Sequence, residues 1–368
     1  MKSVKFNNQP QAEFFNTLRK RVNQHFKDTN TTRYGNSEMV IKTIILLGTY
    51  LGSFVIILTL NINAWLLLPF ALLMGLAMAG IGMCVMHDAL HGSYSKNAAV
   101  NKIMGRSLNF LGGSAFIWNI QHNVLHHTYT NIHGMDEDIE TKVIVRLCKH
   151  APVKHFYRFQ HIYVFFAYGL MTLLMLVSDF IKLFKYHKKG MVEKQKTRLS
   201  SEYLKMGIYK VFYLFLMLGV PLLLTSLALW QVLIGFLVIH LTAGYILSIV
   251  FQMAHIVEGT EQPMPDSEGT MQNAWAVHQL RTTANFSRDN RFLNWYVGGL
   301  NFQIEHHLFP NICHVHYRKL SEIVEKTAAE FQIPYNLKPT FAHAMQSHIR
   351  MLKILGSEPV EVKAATVA

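Results

Sequence analysis

The chain has 368 residues, a formal net charge of +13 and a mean hydropathy of +0.18, with 51% hydrophobic but only 15% charged residues. A charged share well below the roughly 25% of soluble domains, with the apolar residues gathered into long runs, excludes an ordinary water-soluble globule and points to a multi-pass membrane protein. In that class an excess of Lys and Arg marks cytoplasmic loops and anionic lipid rather than nucleic acid, and the cysteines, Cys84, Cys148 and Cys313, are too few and too scattered for a disulfide framework or a four-thiolate cluster.

Residues 1–42 form a polar segment expected on the cytoplasmic side. Its opening, MKSVKFNNQPQAEFF, has no apolar core and does not read as a signal peptide. The uncharged stretches 43–60, 64–86, 211–230 and 232–254 each suffice for a crossing, which takes about 17–25 helical residues. Asn61, Ile62 and Asn63 join the first two, and the last two meet around Gln231, so they read as two tight hairpins. Residues 107–118 are apolar but too short to cross. Residues 162–180 are long enough but carry basic residues on both sides, from Arg146 to Arg158 and from Lys182 to Arg198. A crossing there breaks the positive-inside bias, so both runs are read as interfacial. The expected fold is all-α and integral to the membrane. Four crossings in two hairpins put both termini and a helical domain on the cytoplasmic side. The membrane domain is expected over 43–317 and a cytoplasmic tail over 318–368, where SEIVEKTAAEFQIPYN reads as an amphipathic helix.

Of the 20 histidines, eight gather in a few short stretches that this topology brings to one membrane face. HDALH follows the second crossing, and its His87 and His91, four apart, share one helix face about a turn apart. HNVLHH repeats that spacing in His122 and His126 and adds His127. QIEHH supplies His306 and His307 after the fourth crossing, and His255, in FQMAHIVE, closes that crossing. A lone histidine reads as a satisfied core or surface imidazole. Three clusters on one face do not. Neutral imidazoles in an apolar wall suit a borderline metal such as iron or zinc. Eight exceed the three or four protein ligands of one zinc site, so the surplus implies two metal ions.

Asp88 and Glu305 each adjoin a candidate ligand and are candidates to hold its other ring nitrogen. The competing reading of both is an exposed acid on the far helix face. Asp136 and Asp138 are candidates for the same role, although their run with Glu137 and Glu140 reads more simply as a solvated turn. Trp118 and Asn119 are placed in the pocket wall. His240, inside the fourth crossing, reads as a cross-bundle hydrogen bond. His278, His314 and His316, near QIEHH, read as structural, with support of a ligating histidine as the alternative.

HDALH, HNVLHH and QIEHH, in this order and split by membrane hairpins, resemble the three histidine boxes of the membrane-bound fatty acid desaturases. The run WAVHQLRTTANFSRDNRFLNWYVGGLNFQIEHHLFP (275–310) resembles the front-end, linoleoyl-CoA or delta-6 type, in which glutamine replaces the first histidine of the third box. The resemblance covers the chain from the first crossing to about Tyr317. It implies a non-haem di-iron centre on the cytoplasmic face and an apolar tunnel for the acyl chain. Carried over residue by residue, it implies His87, His91, His122, His126, His127, His255, His306 and His307 as iron ligands. Gln303 follows as a weak or water-mediated ligand. His255 lies outside the boxes and enters by its place at the end of the fourth crossing. The implied reaction uses O2 to introduce a cis double bond into an acyl-CoA or phospholipid acyl chain, on the carboxyl side of an existing double bond.

Removing hydrogens from adjacent unactivated methylenes is beyond acid–base chemistry and belongs to a metal cofactor. It also needs two electrons. The sequence carries neither an HPGG haem motif nor a G-x-G-x-x-G fingerprint. The expected donor is therefore a separate ferredoxin, or cytochrome b5 with its reductase, which fits a bacterial inner membrane. Two rival readings stand beside this one. A hydroxylase of alkanes, fatty acids or carotenoids uses the same iron site. A non-catalytic metal transporter should instead place ionisable residues near mid-bilayer, where only His240 lies.

Overall fold

The computed structural model describes residues 4–140 and 143–357; residues 1–3 of the N-terminal segment and 358–368 of the tail lie outside the described residues. The chain is mostly helical, and the strands among the described residues are two short parallel pairs, Lys5–Phe6 with Thr270–Met271 and Asn285–Phe286 with Leu337–Lys338. Among the described residues four helices are long and apolar enough to cross a membrane: Ser37–Thr59, Ala64–Leu90, Leu199–Leu224 and Leu229–His255. Their outer faces expose large apolar side chains, among them Ile44 at 66%, Val211 at 69% and Leu223 at 72%. Contiguous apolar surface of that kind is stable against lipid, not water.

Charged residues explain why two of these helices start earlier than the apolar runs. Ser37–Thr59 begins at an Asn36 cap, whose side chain accepts from the Met39 amide, and contains Lys42. The expected start at residue 43 treated Lys42 as a boundary, but its ammonium is buried and bonded to His314. Leu199–Leu224 likewise contains Lys210, buried 2.9 Å from Asp179. The expected run 211–230 also overran a break at residues 225–228, so Trp230 belongs to the next helix. Continuous hydrophobicity hides that turn, which only Thr225 and Ser226 mark.

Ala64–Leu90 is the most enclosed of the four and packs on both Ser37–Thr59 and Leu229–His255. Gly75 permits the second contact, because a Cβ there would meet the Ile239 carbonyl at 2.7 Å. The two runs read as interfacial are each broken. Residues 107–118 split into Ser107–Phe110 and Ala115–Trp118 around Gly112, whose φ of +87° suits glycine. Residues 162–180 fall on two helices, His155–Gly169 and Met171–Lys188, bent by 77°; counting that pair as one span gives a fifth. The helix Tyr317–Glu330 lays Leu320, Val324 and Ala328 against Phe14, Leu18 and Val22 of Ala12–Asp28. Arg21 and Glu330 close that contact at 2.7 Å.

Candidate metal centre

The histidines arrive on the ends of helices that the fold draws together. His87 and His91 close the helix Ala64–Leu90, directly after a π-helical stretch, Ile81–Met86. His122 and His126 lie in a second π-helix, Asn119–His126, followed by His127. His255 ends Leu229–His255, and His306 and His307 lie on the short helix Gln303–Leu308. His122 and His126, four apart, stack with ring centroids 5.2 Å apart, as their spacing predicts, and the wider π turn adds a further neighbour. His122 meets His127, five residues on, with their Nε2 atoms 3.2 Å apart, while His126 turns toward His255 and His307.

All eight imidazoles come together, and only His91 is even partly exposed. Their ligand atoms fall into groups within 4.8 Å: His87, His91, His122 and His306 in one, His126, His255 and His307 in a second. His127, His306 and His307 form a third group that bridges the two. Gln303 joins the second, with its amide nitrogen 3.0 Å from His255 Nε2.

In three of the imidazoles Nδ1 has a partner and Nε2 does not. His126 Nδ1 donates to Asp136 at 3.0 Å, and His307 Nδ1 to Gln279 Oε1 at 2.8 Å. His306 Nδ1 faces the Tyr317 hydroxyl at 3.3 Å. The Nε2 atoms of these three, and that of His91, are buried without a hydrogen-bond partner, as is Gln303 Oε1. Leaving so many acceptors unsatisfied costs on the order of 1–3 kcal/mol each. A metal ion removes that cost, so the donor set fits one.

Electrostatics favour the same use. Burial, and then the neighbouring imidazoles, push His91, His122, His127, His306 and His307 well below the ordinary histidine range, leaving them neutral at pH 7. Neutral imidazole is the ligating form. His126 is the exception: burial alone lowers it, but the carboxylates of Asp136 and Asp138 outweigh that and raise it.

The acidic candidates divide. Asp136 is fully buried, which overturns the solvated-turn reading, and Asp138 lies 3.7 Å from His126. Asp88 is buried too, with one oxygen 3.5 Å from His87 Nδ1 and the other 2.8 Å from His314 Nδ1. Glu305 is buried but turned to Asn285 and Tyr335, at 2.7 and 3.0 Å, rather than to an imidazole; burial pushes its carboxyl up to about 7 against those bonds. Trp118 stacks on His122, with ring centroids 4.4 Å apart. The apolar cavity lined by Phe54, Met74, Phe236 and Ile239 lies among the four long helices, toward the end away from the histidines.

A family model for fatty acid desaturases matches residues 63–339. The chain belongs to the fatty acid desaturase family. Similar proteins include the sn-1 linoleoyl-lipid 6-desaturase of Synechocystis sp., 36% identical across 93% of this chain and 95% of its own length. The protein of the same name from Arthrospira platensis is 32% identical over 95% and 94%. An acyl-lipid (8-3)-desaturase of Physcomitrium patens is 35% identical over 94% of this chain and 72% of its own. The desaturase is therefore a membrane oxidoreductase that acts on fatty acyl chains.

Several side chains around the centre carry no sequence signal. Gln279 binds His307 Nδ1, accepts from Thr130 and donates to the His127 carbonyl. It lies in the desaturase-like run 275–310, but nothing in its spacing points to a histidine. Tyr317 and Lys42 are equally silent. His278 donates to the Thr130 carbonyl at 2.8 Å, and His240 bridges Tyr213 and Thr172. Both are the structural histidines the sequence suggests.

Proposed function

We propose that the histidine cluster is a two-iron centre that uses O2 to insert a cis double bond into a lipid-linked acyl chain. The single observation that carries this reading is that His126, His306 and His307 each have Nδ1 held and Nε2 left buried without a partner. His87, His91, His122 and His306 would hold one iron, and His126, His255 and His307 the other, with Gln303 as its weak fourth ligand. His127 lies between the two groups. With O2, such a centre supplies the hydrogen abstraction from unactivated methylenes that side chains cannot perform.

The chain's own residues do the rest. Asp136 and Gln279 hold the Nδ1 protons of His126 and His307, which keeps Nε2 of each free to ligate. Phe251 packs on His126 and His255 with centroids 5.0 and 4.7 Å away, and with Trp118 it keeps water from the inner rings. The buried setting suits an acyl chain held with one C–C bond beside the centre.

Finer points follow from the relatives and the charge pattern. The cyanobacterial proteins are named for linoleoyl lipids and position 6. This supports insertion between an existing double bond and the carboxyl end. The four long helices are read as two hairpins in a membrane domain over 43–317, with the termini, the histidines and the tail on the cytoplasmic side of a bacterial inner membrane. A ferredoxin, or cytochrome b5 with its reductase, would deliver the electrons.

The test is the fatty-acid profile of a host expressing the chain and fed linoleate. A product lighter by two hydrogens, with its new bond on the carboxyl side, is expected. A product heavier by one oxygen would make the protein a hydroxylase, and a new bond on the methyl side would remove the regiochemical reading.

A further inference from the structure

A buried polar chain runs from the first long helix to the first histidine pair, and the reaction as described does not use it. Lys42, on Ser37–Thr59, places its Nζ 2.7 Å from His314 Nε2. The other ring nitrogen of His314 lies 2.8 Å from Asp88 Oδ2, which also accepts the His314 main-chain N–H at 3.1 Å. Asp88 Oδ1 faces His87 Nδ1 at 3.5 Å. All four side chains are buried, Lys42 and Asp88 to 1% exposure. Three separate parts of the chain supply them, some 45 and 226 positions apart.

We propose that Lys42 is a positioning residue for the metal centre, acting through His314 and Asp88 to fix the orientation of His87. The inference rests on the iron-centre reading of the histidines. Its logic is the direction of each hydrogen bond. An ammonium only donates, so His314 Nε2 must accept, and the single ring proton of His314 sits on Nδ1. That proton is donated to Asp88, which fixes the carboxylate with its second oxygen toward His87 Nδ1. Neither ring nitrogen of His87 has a hydrogen-bond partner, but the carboxylate 3.5 Å from Nδ1 favours the proton there, and Nε2 is the atom left for a metal. Without Lys42, His314 Nε2 is a buried acceptor with no donor, and the ring that holds Asp88 is anchored at Nδ1 alone. Asp88, Cys313 and His314 cluster closely enough to hold a cation of their own. Lys42 already supplies the positive charge at that place, which favours a relay over a third metal site.

The experiment measures iron per chain in the purified full-length protein after a fixed chelator challenge, beside the melting temperature of the iron-free form. Lys42→Met is expected to weaken iron retention by on the order of 10–100-fold, the usual effect of losing an outer partner of a ligating histidine. In a His314→Asn background, where the amide nitrogen donates to Asp88 without needing Lys42, the same substitution is expected to change retention little. Parental retention in Lys42→Met while the parent holds iron would overturn the proposal and leave the iron centre standing. Equal losses in both backgrounds would overturn it too, because Lys42 would then act by another route. A parent that holds no iron would remove both readings. Should Lys42→Met fail to accumulate, His314→Leu is compared with His314→Asn. The relay requires that only the leucine variant lose iron, and equal behaviour refutes it.

Discussion

Asp136→Asn isolates what one outer carboxylate does for the centre. Asp136 Oδ2 accepts from His126 Nδ1 at 3.0 Å and from the Asn131 amide at 2.9 Å, and Oδ1 accepts from the Asp138 amide at 3.0 Å. An asparagine has the same shape but only one acceptor oxygen. Either amide orientation sets its NH2 against a donor that the carboxylate had satisfied. The change therefore removes a charge-assisted bond and leaves one buried donor facing another. Hydrogen bonds to charged groups contribute about 1.5–3 kcal/mol. At 1.4 kcal/mol per factor of ten, iron on the His126 side should be held roughly 10–150-fold more weakly. The assay is competition for iron against a chelator of known affinity, run on parent and variant of equal monodispersity. Parental iron affinity in the folded variant would refute the argument that outward bonds set the ligating nitrogens.

Other consequences are open to measurement. Gln303→His should retain linoleate conversion while Gln303→Ala loses it; full conversion by the alanine variant would deny Gln303 any role at the centre. Lys210→Met should destabilise the protein by about 3–5 kcal/mol, because it removes the cation of a buried ion pair. Lys210→Met with Asp179→Leu should recover most of that in a melting curve, and a double variant as weak as the single one would count against the ion pair. Iron-free protein should also be acid-labile. Burial pushes His278 and His348 down to about 4, whereas unfolded histidine titrates near 6.5. Below about pH 6.5 the unfolded chain takes up protons that the native chain refuses, so stability falls as pH drops toward 4. His126, held up by Asp136, runs the other way but is one group against several. A melting temperature flat between pH 7 and 5 would contradict this.

The ligand candidates were legible because histidine spacing is local and the long helices carry it to one place. The four long apolar helices were legible as apolar runs. Their limits were not, since hydropathy treats Lys42 and Lys210 as boundaries and cannot see His314 or Asp179 folding onto them. The π-helical turns were invisible as well. An i, i+4 rule puts His122 with His126, where they do stack, but it does not foresee that the wider turn also brings His127 against His122. Gln279 and Tyr317 reach the centre across 28 and 11 positions, and single-residue contacts at those separations have no periodicity to betray them. Glu305 shows the converse: adjacency to a ligand in sequence turned its carboxylate toward Asn285 and Tyr335 instead.

The most direct test of the central claim is the metal content of the purified protein. Elemental analysis of parent and His307→Ala, both shown to reach the membrane, should find close to two irons per parent chain and clearly less in the variant. Zinc in place of iron, or an iron content indifferent to His307, would contradict the account.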